Sequence, residues 1–210
     1  MSLLLTISIL HFVAQLSPGP DVLLIAKSAA SNTRANTLKI ISGISVGIVV
    51  WVVLTLLGFT VLIEQWPWIQ QLLMLCGGFF LAKMGWGMWQ AGRAALQHNT
   101  VWQEGKVQAA QNYFVLGLLT NLSNPKTLIY FSSVFSLALS SSASESIKQQ
   151  LAVLIPLQTF LTFALFMWIM SLPRIKTLYQ RSGGYIDLIS GALFMMFALW
   201  LWLDVLKVLF

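Results

Sequence analysis

Ser17-Pro18-Gly19-Pro20-Asp21 interrupts an apolar run that otherwise extends from Leu3 to Ile25. Proline removes a backbone donor and its ring clashes with the preceding helical turn, while glycine tolerates backbone angles that other residues resist. A helix therefore breaks here. Lipid offers no partners to the polar backbone groups of a broken helix, so such breaks persist only where they face protein or a water-filled cavity. A second break, Asn124-Pro125-Lys126, lies 105 residues further on, again inside an apolar run. Two interrupted segments at matching places in two halves point to the binding site of a transporter.

Composition agrees with a membrane chain. Of 210 residues, 58% are hydrophobic and 9% charged, with a mean hydropathy of +0.81. A soluble domain carries roughly a quarter charged residues, so this is a polytopic membrane protein. The net charge of +6 does not imply nucleic-acid binding, because the basic residues sit between apolar runs and not on one continuous face. Cys76 is the only cysteine and there are two histidines, which rules out an internal disulfide and gives no metal-ligand cluster. No cofactor is implied. The first apolar stretch has no basic residues ahead of it, so it lacks the usual start of a signal peptide and is expected to be retained as a span.

Stretches of about 20 apolar residues predict six spans, at about 3–30, 40–63, 68–91, 113–139, 150–172 and 185–206. The expected fold is an all-α integral membrane protein built as two three-helix repeats, 1–91 and 113–210, joined by a cytoplasmic linker at 92–112. The first helix of each repeat is broken. Eight Lys/Arg fall in the loops after spans one, three and five, against Lys148 and Lys207 on the other side. The positive-inside rule then places both termini in the periplasm. An odd span count inserts the second repeat upside down, so that the breaks meet near the midplane from opposite sides. Trp66 and Trp68 suit an interfacial aromatic belt. Lys83 is placed near the inner end of span three, from where it can snorkel. Gly43 and Gly47, four apart, let two helix backbones approach closely.

The residues at the breaks suggest their chemistry. Proline is favoured at the first helical position and Asn or Gly just before it as a cap. Gly19 and Asn124 are the expected caps, with Ser17 competing for the first. Each half-helix then directs a positive N-terminal end at the centre, where a substrate carboxylate is stabilised. Asp21 and Lys126 occupy the second helical position of their respective halves. A lysine inside a membrane costs about 2.5 kcal/mol or more, and Asp21 is the partner expected to offset it. The pair either locks the repeats together or contacts the ammonium and carboxylate of a substrate and carries the coupling proton, a role that falls to Asp21. Ser17, Gly19, Asp21, Asn121, Asn124 and Lys126 are the expected substrate-binding residues. His11, Gln15, Thr120, Gln158 and Thr162 are candidate lining residues, each with hydrogen bonding to a neighbouring helix as the alternative. Asp21 is read as the sole well-buried acid.

These motifs resemble a known family. Ser-Pro-Gly-Pro-Asp at 17–21, the Gly43/Gly47 pair and Gly-Leu-Leu-Thr-Asn-Leu-Ser-Asn-Pro-Lys at 117–126 are similar to the lysine-exporter and homoserine/threonine-resistance (LysE/RhtB) family of bacterial amino-acid exporters. The stretches 128–137 and 191–194, with His11 ahead of the break, resemble its threonine-exporting branch most. Lys83 departs from the family pattern. The resemblance implies a multi-pass secondary exporter in the bacterial inner membrane, moving a small threonine- or homoserine-like amino acid by proton antiport.

Other classes fit less well. A thiol-handling electron carrier needs a cysteine pair near the breaks, and a divalent-cation exporter needs clustered His or carboxylates in the spans. An intramembrane hydrolase needs a nucleophile and a base at helical spacing, and Ser17 with His11 does not supply it. The chain is expected not to be an enzyme, and export of another small solute or cation on the same fold is the alternative. The partners implied are an amino acid, protons and the lipid bilayer, without nucleic acid. The oligomeric state is left open, a homodimer included.

Overall fold

The computed structural model describes residues 3–17, 19–58, 61–62, 65–97, 112–131 and 144–209. Among them there are helices and no strands. In chain order these are α1 (Leu3–Leu16), α2 (Pro20–Ser31), α3 (Arg34–Leu56), α4 (Pro67–Gln97), α5 (Tyr113–Leu122), α6 (Pro125–Ile129), α7 (Glu145–Met170), α8 (Pro173–Arg181) and α9 (Gly183–Leu209). Four of them, α3, α4, α7 and α9, are long and apolar enough to cross a membrane. The α1–α2 pair makes a fifth candidate span, bent by 60° at the break. Helix α5 is too short to span alone; the expected fourth span, 113–139, runs on into residues outside those described.

Several boundaries move from the expected ones. Helix α3 starts at Arg34, inside the expected loop, because the Thr33 hydroxyl accepts the Asn36 backbone N–H at 3.2 Å and caps it early. Helix α4 continues to Gln97, into the expected linker. Lys83 therefore lies near the middle of a 31-residue helix, on its exposed side, and not near an end. The remainder of the linker, 98–111, lies outside the described residues. Ser144 caps α7 by accepting from the Ile147 N–H. Trp66 and Trp68 are exposed, as a belt requires.

Lipid is as apolar as leucine, so small residues and close backbones hold membrane helices together. Helices α4 and α9 run antiparallel along a glycine seam. A Cβ at Gly85 would lie 2.7 Å from the Gly191 carbonyl oxygen, and one at Gly92 would lie 2.7 Å from that of Gly184. A Cβ at Gly78 would collide with the Trp202 indole. Gly78, Gly85 and Gly92 are seven apart, as are Gly184 and Gly191, which keeps each set on one helix face. Helix α3 meets α5 in the same manner. Gly43 lies against the Phe114 carbonyl, Gly117 against that of Ile40, and Gly47 against the Asn121 side chain. The packing role expected of Gly43 and Gly47 is the one they have.

Helix α3 also packs on α7, and α1 on α7 in turn; α2 lies among α3, α5 and α7. Ten of the twelve α2 residues are buried, so this half-helix is shielded on nearly every side. The outer faces present Phe12, Val13, Leu161, Leu165, Leu199 and Leu203, an apolar surface suited to lipid.

Candidate functional site

Both breaks are built alike. Gly19 precedes Pro20 and its carbonyl accepts from Leu23 N at 3.0 Å; Asn124 precedes Pro125 and its carbonyl accepts from Leu128 N at 3.0 Å. The Asn124 side chain caps α6 by accepting the Lys126 N–H at 3.0 Å. Gly19 has no side chain to do this. Ser17 does not compete for the cap, because its hydroxyl donates back to the Ala14 carbonyl at 2.8 Å.

Asp21 and Lys126 line one buried cavity with His11, Gln15, Thr127 and Tyr130. They are not ion-paired with each other, contrary to expectation. Each is held by neutral groups of the opposite half. Asp21 accepts from the Asn121 amide at 2.8 Å. Lys126 Nζ donates to the Ser17 carbonyl at 2.7 Å and to the Ser17 hydroxyl at 3.2 Å. The reason is steric as well as electronic. The Lys126 chain runs across Gly19, with Nζ 3.2 Å from where a Cβ would sit, and this brings the ammonium to the exposed carbonyl of the broken turn.

His11 and Gln15, one turn apart on α1, are both buried and both face the cavity. His11 Nε2 shares a 2.8 Å hydrogen bond with the Thr159 hydroxyl. His11 Nδ1 and both amide atoms of Gln15 are buried with no hydrogen-bond partner among the described residues. Tyr130 and Phe131 close over the imidazole, with ring centroids at 5.3 and 6.4 Å, and Phe131 stacks on Trp51.

Other expected lining residues fall elsewhere. Gln158 and Thr162 line a groove on the outer surface between α1 and α7, where the Gln158 amide donates to the Ser8 carbonyl. Thr120 points at Met84 and bonds its own helix at the Leu116 carbonyl. The polar α7 residue that does reach the cavity is Thr159, next to Gln158 in sequence and so about 100° away around the helix.

One charged pair escaped the sequence reading. Lys27, expected near a loop, is buried and pairs with Asp187 of α9 at 2.7 Å. Asp187 is 1% exposed, so Asp21 is not the sole well-buried acid. An acid inside an apolar span was the available signal.

The cavity itself is small, about 30 Å³, room for one or two waters. Phe163 of its wall belongs to a buried apolar cluster that includes Leu24, Ile25, Ile41 and Ile44.

The sequence matches the LysE type translocator family over residues 12–204. It is 36% identical to a protein described as threonine efflux protein in Salmonella typhimurium, over 92% of this chain and 94% of that relative. The Escherichia coli protein of the same description is also 36% identical, with the same coverage. An uncharacterized membrane protein of Haemophilus influenzae is 35% identical over 93% of both chains. No solved structure matches the chain. The chain belongs to the LysE type translocators, a family of transporters and not of enzymes.

Proposed function

We propose that this protein is a secondary exporter of a small threonine- or homoserine-like amino acid in the bacterial inner membrane, driven by proton antiport. The observation that carries it is one buried cavity where a carboxylate and an ammonium, at the same position of two broken helices, stand apart on neutral partners. A zwitterion needs that arrangement. Its ammonium goes to Asp21, beside Asn121, and its carboxylate to Lys126, beside Ser17, Gly19 and Asn124.

The packing supports an inverted repeat of six spans. Helix α1 lies on α7 as α5 lies on α3, and the two third spans, α4 and α9, pair antiparallel. Gly78 and Gly85 map onto Gly184 and Gly191 at an offset of 106, one more than the offset of the two breaks. Residues 1–91 and 113–210 are then the two rocking units. A cavity of about 30 Å³ is too small for an amino acid, so the site has to widen to take one, as rocking of one unit against the other would allow.

Asp21 is the coupling residue in this reading. Its carboxylate faces the cavity on the neutral Asn121 amide, with no ion pair among the described residues, so it can gain and lose a proton as its surroundings alternate. Open to the cytoplasm, the ionised Asp21 holds the substrate ammonium. Open to the periplasm, protonation releases it, and the returning site carries the proton inward.

Inverted vesicles with an imposed proton gradient, offered a panel of labelled amino acids, test the function. Gradient-driven uptake of threonine or homoserine is expected; uptake of none of the panel overturns the reading. Reporter fusions at Asn32, within 98–111 and at Ser182 should all report cytoplasm. A periplasmic signal from any of them would overturn the topology.

A further inference from the structure

Gln15 makes no use of its own hydrogen-bonding capacity within the described protein. Its side chain is buried at 7% exposure, lines the cavity, and has neither its amide nitrogen nor its amide oxygen bonded among the described residues. Buried polar groups nearly always have partners, and leaving one without costs about 1–3 kcal/mol. A primary amide offers donors and an acceptor together. It therefore matches a group that also does both, and a hydroxyl is the simplest such group.

The neighbourhood narrows the choice. His11, one turn earlier, spends Nε2 on Thr159 and leaves Nδ1 facing the same region without a partner among the described residues. The other wall is apolar, formed by Ile48, Phe131 and Phe163. An ionised side chain has no counter-charge here, because Asp21 and Lys126 are engaged by the ammonium and carboxylate of the substrate. A short side chain with one hydroxyl and a methyl or methylene meets both walls.

We infer that Gln15, supported by His11, is the specificity determinant that reads a hydroxyl on the side chain of the exported amino acid. The inference rests on the exporter reading above and goes beyond it by assigning the recognition atom. An apolar pocket discriminates poorly between isosteres, but a site that hydrogen-bonds a substrate hydroxyl rejects the analogue lacking it, since its own polar groups then stay unpaired.

Threonine and valine, equal in shape and different by one hydroxyl, provide the test. In inverted vesicles the wild type should take up threonine in preference to valine by on the order of a hundredfold or more, judged by the ratio of kcat/KM. Gln15→Leu should lose threonine uptake by a similar factor while valine uptake holds or rises, so that the ratio collapses towards one. Gln15→Met, which keeps the length of the side chain, should do the same and guards against a packing defect in the leucine variant. Gln15→Asn should retain part of the preference. Variants that insert normally and keep the wild-type ratio overturn the inference alone, as does a wild type that transports both equally. A wild type that transports neither overturns the exporter reading and this inference with it.

Discussion

The two places where opposite charges lie buried are built in opposite ways. Lys27 and Asp187 touch at 2.7 Å and tie α2 of the first half to α9 of the second. Asp21 and Lys126, also contributed by the two halves, do not touch; an asparagine amide and a backbone carbonyl hold them instead. A direct pair compensates its own charges. Charges parked on neutral partners give those partners up more readily to a ligand bearing the matching charges. On the proposed reading, the first arrangement is a lock and the second a binding site.

The widest separation should come from exchanging the charges. Lys27→Asp with Asp187→Lys keeps the attraction and should retain at least half of wild-type transport. Asp21→Lys with Lys126→Asp should insert but transport nothing, because a carboxylate at 126 would face the Ser17 carbonyl and an ammonium at 21 the Asn121 amide. Vesicle transport of both double variants decides it, and full activity in the second would erase the distinction.

Single removals sharpen it further. Asp187→Asn strands a buried ammonium and should destabilise the fold by about 3–5 kcal/mol, seen as a lowered Tm in detergent. Asp21→Asn keeps a neutral group that Asn121 can still bond, and so should change Tm little while abolishing gradient-driven export. A smaller effect is expected from Thr159→Val, which removes the partner of His11 at a cost of about 1 kcal/mol and should lower transport without preventing insertion. The smallest comes from glycines. Gly87→Ala, with nothing within 4 Å of its Cβ, should be neutral in Tm, whereas Gly85→Ala should force α4 from α9 and lower it.

Much of this was legible in the chain. Proline directly after Gly or Asn inside an apolar run announces a break, so Gly19 and Asn124 could be read as caps from local chemistry alone, whereas Pro156 sits inside the unbroken α7. The Gly43/Gly47 pair could be read as a packing surface from its four-residue spacing. What could not be read was direction around a helix that is apolar on every side. Gln158, Thr159 and Thr162 differ only in angle, and no amphipathic pattern says which faces inward. Lys27 and Asp187 are 160 residues apart, and their meeting depends on how two separate helices pack. Charge alone suggests an Asp21–Lys126 pair; the route of the lysine chain over Gly19 to the carbonyl freed at the break is not visible in the sequence.

The glycine seam has a consequence for biogenesis. Its two sides, α4 and α9, are separated by 85 residues, and α9 is the last helix described. During synthesis the notched face of α4 waits in the bilayer while every intervening helix is made. The atoms nearest to the Cβ positions at Gly78, Gly85 and Gly92 all belong to α9. Helix α9 is thus a keystone: the spans before it can be inserted, but this side of α4 stays unclosed until α9 arrives. A cysteine at Gly85 should accordingly react with a lipid-soluble thiol reagent in chains stopped before residue 183 and become protected in the full chain.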